Sequence, residues 1–356
     1  MSTESPLIPL PYITAELPGV GGQLKAEPSA FIVEEIPVYD ASGEGSHLYV
    51  SLTREGWTTR KVVEALASLY GIDRGSVGYA GLKDRHARCT QTFSLPNLQQ
   101  EDAQRIQDEL SFTVNWARCH GNKLKVGHLL GNRFTITVSG LNVDPDTARV
   151  RASAIAGAIA GRGVPNFFGA QRFGIEGQNV VRGRAAFLGN GPREKWLNRL
   201  LISAYQSHLF NIYLVQRIEQ DLFSRLLDGD VCKKADTGGM FEVADPAAEQ
   251  PRFDRGEISY TGPLFGKKMW AATRAAAVLE NTTLADAGIG EEELRRCRAD
   301  GARRPARLWL PEINVTVDST GLHATFTLPK GGYATVVMRE FIKSADAMNQ
   351  LPEEDE

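Results

Sequence analysis

The stretch that decides the reading is AGLKDRHARCTQ, Ala80 to Gln91. Asp84 stands in it among Lys83, Arg85, His86 and Arg88, and no other acid lies closer along the chain than Asp73. Cations within about 4–6 Å favour the ionised form of a carboxylate. That suits a nucleophile better than a general acid. Gly81 permits another segment or a ligand to approach this backbone closely. The competing explanation is an exposed loop whose aspartate makes screened surface ion pairs.

Outward from the loop, strand and helix signals interleave. HLYVSL (47–52) alternates as a half-buried strand does. Thr58 or Thr59 can cap a helix whose apolar positions Val62, Val63, Leu66, Leu69 and Tyr70 have helical spacing, and Gly71 stops it. After Val77 to Tyr79 and the loop come a strand, CTQTFSL, and a helix over 102–110. Strands follow at 112–116 and 134–138, then a small-residue helix over 146–160, with short connections that allow antiparallel pairing. From Gly163 the character changes. PNFFGAQRFG is a Gly- and aromatic-rich loop, 194–216 is the clearest helix, and 229–266 reads as loop or irregular structure. Strands return at 314–318 and 323–329, before a short helix through Met338. Strands at both ends around a mostly helical middle imply an α+β protein whose two ends form one sheet around an insertion. The expected domains are 1–162 with 309–350, an insertion at 163–308, and an acidic tail at 351–356.

The 356 residues are 42% hydrophobic and 23% charged, values of a folded protein. No apolar run reaches the roughly 18 residues of a membrane span, and the N-terminus lacks a basic signal region. A cytoplasmic protein is expected. The net charge is −3, yet 111–193 carries eleven Lys/Arg against Asp144, Asp146 and Glu176. Of the forty basic residues 28 are Arg. Arg suits phosphate and stacks on bases, although an Arg-rich codon usage gives the same count. P-loop, dinucleotide-binding and nucleophile-elbow signatures are absent. His86, Cys89, Cys119 and His120 match no common zinc spacing, so buried free thiols are expected. Aromatics beside basic or amide groups, as at Phe31, Asn132-Arg133-Phe134, Asn166-Phe167-Phe168, Gln171-Arg172-Phe173 and Tyr333, can stack unpaired bases or belong to the core.

Four segments together resemble the TruD family of tRNA pseudouridine synthases: AGLKDRHARCTQ, LKAEPSAFIVEE (24–35), LGNRFTI (130–136) with VPNFFGAQRFG (164–174), and LPKGGYATVVMRE (328–340). The likeness runs from residue 24 to residue 340. It implies the pseudouridine synthase catalytic fold, a curved mixed sheet with flanking helices, carrying a mostly helical α/β insertion domain. It implies that Asp84 is the nucleophile and that Phe31, Asn132 and Tyr333, with Phe134 nearby, line a pocket for the target uridine. Lys83, Arg85, Arg172, Arg182 and Arg184 are candidate supporting or RNA-contacting residues. Ala30 and Tyr333 depart from commoner family residues without removing a stacking face. The substrate implied is uridine 13 of the D arm of tRNA, flipped from its stack, with tRNA lying between the domains. No cofactor, metal, membrane or obligate protein partner is expected. The competing functions are a non-catalytic RNA-binding protein or RNA chaperone and a glycosidic-bond hydrolase, which would need a second carboxylate.

Overall fold

The computed structural model describes residues 7–24 and 27–344. The expected acidic tail and Lys25 of LKAEPSAFIVEE lie outside them. In chain order, Gln23–Leu24 (β1), Phe31–Pro37 (β2) and His47–Arg54 (β3) come first. The Thr58 hydroxyl accepts the Lys61 amide at 3.2 Å and caps Thr59–Tyr70 (α1). Gly71, at φ 63°, ends that helix in the left-handed conformation that favours glycine. Gly78–Tyr79 (β4), Arg88–Pro96 (β5), Ala103–Glu109 (α2), Thr113–His120 (β6), Leu129–Ser139 (β7) and Pro145–Arg162 (α3) follow.

The middle of the chain holds Val164–Pro165 (β8), Gln178–Phe187 (α4), Lys195–Glu219 (α5), Val231–Lys234 (β9), Met240–Glu242 (β10), Pro246–Asp254 (α6), Ile258–Leu264 (β11), Arg274–Asp286 (α7), Glu291–Arg296 (α8), Ala302–Pro305 (β12) and Arg307–Leu308 (β13). Ile313–Asp318 (β14), Gly321–Pro329 (β15) and Ala334–Ile342 (α9) close it. Among the described residues two compact units result, one of 19–24, 27–156, 312–334 and 341–344, the other of 7–18, 157–311 and 335–340. Among the described residues no helix is long and apolar enough to cross a membrane.

The first unit is built on a nine-stranded sheet ordered β14-β15-β7-β2-β5-β3-β6, with β1 on β7 and β4 on β5. The two chain ends do share this sheet, because β15 pairs with β7 from Leu322 opposite Val138 to Pro329 opposite Gly131. All its pairings are antiparallel except β2 with β5, so the sheet is mixed. Helix α1 lays Val62, Val63 and Leu66 on Leu48, Val50, Leu52, Phe93 and Leu95, all buried. Each such side chain contributes about 1.5–3 kcal/mol of burial, which fixes α1 on the sheet.

The second unit corrects the expectation of irregular structure over 229–266. That stretch forms β9, β10, α6 and β11, and β12 completes a four-stranded sheet ordered β10-β9-β11-β12. Asp230, Asp245, Pro246 and Asp254 bound these elements, while Pro251 lies within α6 and Gly262 and Pro263 within β11. Asp245 caps α6 by accepting the Ala247 and Ala248 amides, and Pro246 occupies the first turn, where a missing N–H costs nothing. The local composition hid a buried ion pair. Arg217 of α5 meets Asp230 at 2.7 Å with both side chains essentially unexposed. The guanidinium also donates to the Tyr213 hydroxyl and the Leu222 and Arg225 carbonyls, and lies 3.6 Å from the Tyr260 ring centre. Arg217→Met leaves Asp230 charged and unpaired, so it should destabilise the protein by about 3–5 kcal/mol. A lower urea midpoint followed by tryptophan fluorescence checks this; an unshifted midpoint contradicts it.

Candidate active site

Residues paired across a sheet share a face, so the face under α1 can be followed along the strands. Leu48, Val50 and Leu52 of β3 lie opposite Leu95, Phe93 and Gln91, and Arg54 opposite Cys89. The face is therefore apolar beneath α1 and turns polar at Arg54, Gln91 and Cys89, where the Asp84 loop enters β5. Val33 of β2 pairs with Cys89 on one side and Phe134 on the other. Glu35 pairs with Asn132, and Leu328 of β15 also lies opposite Asn132. The registers thus bring Glu35, Arg54, Cys89, Gln91, Asn132 and Phe134 onto one face from residues scattered over a hundred positions.

These buried polar groups hold the loop. Lys83 meets Glu35 at 2.7 Å, with side chains 4% and 2% exposed, and the other Glu35 oxygen accepts the Thr92 amide at 3.3 Å. The Thr59 hydroxyl accepts the Lys83 amide at 2.9 Å and donates to the Gln91 carbonyl oxygen at 3.1 Å. Gln91 receives Arg54 at 3.1 Å and donates its own NH2 to the Gly81 carbonyl at 2.6 Å. The carbonyls of Ala80 and Arg85 are taken by the amides of Gly127 and Gly56. Arg54 is 2% exposed, and burial lowers its pKa while Cys89 and Glu35 raise it. Its Nε and Nη1 lack hydrogen-bond partners among the described residues. The Cys89 thiol, pushed up to about 11 mainly by burial, donates to the Asp84 carbonyl at 3.3 Å. The Asp84 carboxylate, half-buried, accepts the His86 amide at 2.8 Å.

The expected site residues fall as follows. Phe31 is half-buried and meets Phe134 edge-on at 6.2 Å. Phe134 is buried and stacks on Phe326, so it backs Phe31 from the core. The Asn132 side-chain oxygen is buried with no hydrogen-bond partner among the described residues, as an acceptor reserved for a ligand would be. Tyr333 is half-buried just before α9. Lys330, three residues before it, bonds through Nζ to the carbonyl of Gly127, whose amide binds Ala80. The Tyr333 and Asp84 loops are therefore both tied to Gly127.

Lys83 directs its ammonium to Glu35, and Arg85 is exposed. A Cβ on Gly81 would meet other atoms only at 3.8 Å and beyond, so no other segment comes unusually close there. Arg172, Arg182 and Arg184 belong to the second unit. Arg172 donates to the Ser203 hydroxyl at 2.6 Å, whereas Arg182 and Arg184 are exposed. Phe167, Phe168 and Phe173 are buried core. Among the described residues no group of three or more His, Cys, Asp or Glu is placed to hold a metal.

Sequence reasoning missed Glu35, Arg54, Thr59 and Gln91 as parts of the site. Gln91 and Glu35 end two of the quoted motifs, and Arg54 ends a strand whose alternation pointed it inward. Thr59 was legible only as a helix-start residue.

The same α+β architecture occurs in a solved Methanosarcina mazei protein assigned as a tRNA pseudouridine synthase D (TruD), with a TM-score of 0.81, 24% identity and coverage of 96% of this chain and 97% of that one. The family model described as tRNA pseudouridine synthase D (TruD) matches residues 8–187 and 193–341. Proteins named tRNA pseudouridine synthase D from Anaeromyxobacter sp. and Thermus thermophilus are 44% and 43% identical, each over 97% of this chain and over 99% and 95% of their own. The chain belongs to the TruD family.

The clamp on the loop is testable without any substrate. Thr59→Val leaves the Lys83 amide without its acceptor, which should cost about 1–3 kcal/mol. It should also speed hydrogen exchange across 80–87, while Thr59→Ser retains wild-type protection. Equal protection in the valine variant would show that Thr59 does not hold the loop.

Proposed function

We propose that the protein isomerises uridine to pseudouridine in tRNA, with Asp84 as nucleophile and uridine 13 of the D arm as target. The observation that carries this reading is a carboxylate on a pinned loop leading into β5, on the sheet face that also carries Phe31 and the unpartnered amide oxygen of Asn132. A uracil N–H is the donor that such an oxygen lacks, and a ring is the surface on which a flipped base stacks. The relatives named tRNA pseudouridine synthase D support the substrate class.

The reaction breaks the bond from ribose C1′ to uracil N1, turns the uracil and joins C1′ to C5. The hydrogen leaving C5 is balanced by one gained at N1, so no electron is transferred. Asp84 attacks either C1′, displacing the uracil, or C6 of the ring, and is released when the new bond is complete. Arg54 and Lys83 place two buried cations near the loop, with Lys83 paired to the carboxylate of Glu35. Glu35 is already bound by Lys83 and Thr92, which weighs against its use as the second carboxylate of a hydrolase. Extracting the base costs a few kcal/mol, offset by stacking and by the bond to Asn132. In the second unit, exposed Arg182 and Arg184 contribute phosphate contacts.

The test uses tRNA from a strain lacking the gene, incubated with the protein or with Asp84→Asn, without cofactor and with chelator. Carbodiimide labelling should give one new reverse-transcription stop in the D arm with Asp84 only. Binding without a stop would favour the non-catalytic RNA-binding reading, and free uracil would favour hydrolysis. Replacing Arg182 and Arg184 together with Glu should weaken tRNA binding and flatten the slope of log affinity against log salt by about 1.5. An unchanged slope removes both from the RNA contact.

A further inference from the structure

Leu82 lies two residues before Asp84 and is 46% exposed. A single exposed leucine is ordinary on a protein surface, and a mobile loop could fold it away. This loop does not have that freedom. On one side of Leu82, the Gly81 carbonyl is bonded to Gln91 at 2.6 Å and the Ala80 carbonyl to Gly127 at 2.7 Å. On the other, the Lys83 amide is bonded to Thr59 at 2.9 Å and its ammonium is buried against Glu35. The backbone is fixed on both flanks, so the leucine is held out in water. Exposed Arg85 is three residues on, and Val126, which precedes Gly127, is 72% exposed. The rim of the loop is thus apolar and cationic.

A base taken from a helical stack leaves a gap that its neighbours tend to close. Proteins that unstack nucleic acid commonly fill such a gap with an apolar side chain, leucine among them. Leucine has the bulk to fill part of that gap, and it needs no hydrogen-bond partner from the adjoining bases. We propose that Leu82 is a wedge that enters the RNA stack in the space vacated by the uridine that Asp84 attacks. This rests on the function proposed above and adds a residue that holds the flipped state without touching the reacting atoms.

The test uses full-length tRNA carrying 2-aminopurine directly 3′ of the target uridine, at saturating protein. With Asp84→Asn, which binds without turnover, unstacking should raise the fluorescence severalfold. Adding Leu82→Ala should at least halve that rise, and adding Leu82→Met should restore it. With Asp84 intact, Leu82→Ala should slow single-turnover pseudouridine formation about tenfold or more, while Leu82→Met stays within about threefold. The thermal midpoint should not move, because the side chain is half-exposed. An undiminished fluorescence rise with alanine overturns the wedge, whether or not the rate falls. So does a lowered thermal midpoint that the methionine variant shares. Failure of the unsubstituted protein to form pseudouridine in unlabelled tRNA would instead remove the proposed function, and the wedge with it.

Discussion

The ammonium of Lys83 and the carboxylate of Glu35 meet at 2.7 Å almost wholly out of water, and the candidate site depends on that contact. Burying two such ions costs several kcal/mol each, and the pair is tolerable only when its remaining hydrogen-bonding capacity is also satisfied. Here the Thr92 amide completes Glu35, and the Thr59 hydroxyl holds the main chain of Lys83. Swinging the loop away would leave Glu35 buried and unpaired, a penalty of about 3–5 kcal/mol. The residue after Lys83 is Asp84. Its backbone is therefore held in place by the fold itself.

The same contact explains what was and was not legible in the sequence. Asp84 stood out because its cationic neighbours adjoin it in the chain. The partner of Lys83 did not, because Glu35 is 48 positions away and the two meet only through the parallel pairing of β2 with β5. Glu35 also disguised its own strand. FIVEEIP places an acid on the inward face, which breaks the alternation by which His47–Arg54 was recognisable. Helix α1 and strands β3, β5, β7 and β15 were readable because their buried faces carry mainly apolar side chains. The stretch 229–266 was not, because its order comes from long-range terms: the Arg217–Asp230 pair, and the Tyr260 ring against that guanidinium.

The abundance of arginine illustrates the same point on the scale of the second unit. From the sequence, 28 arginines could signal an RNA-binding protein or a codon preference. The structure shows a third use. Arg217 lies 3.6 Å from the ring centre of Tyr260, Arg307 3.4 Å from Phe253, Arg304 4.1 Å from Phe168 and Arg339 4.2 Å from Tyr12. A planar guanidinium can pack on a ring while its edge nitrogens reach carbonyls, as Arg339 does with Pro11 and Leu10. An ammonium offers neither the plane nor the fork. Burial lowers Arg307 to about 10, which still leaves it charged at neutral pH. Arg217, Arg307 and Arg339 are core cement and cannot reach a phosphate, whereas Arg304 is only half-buried. Four of the 28 arginines, Arg54, Arg217, Arg307 and Arg339, are buried, so a count taken from composition includes residues that no ligand can meet. Buried arginine sets the shape, and burial rather than composition separates it from the arginine that solvent can reach.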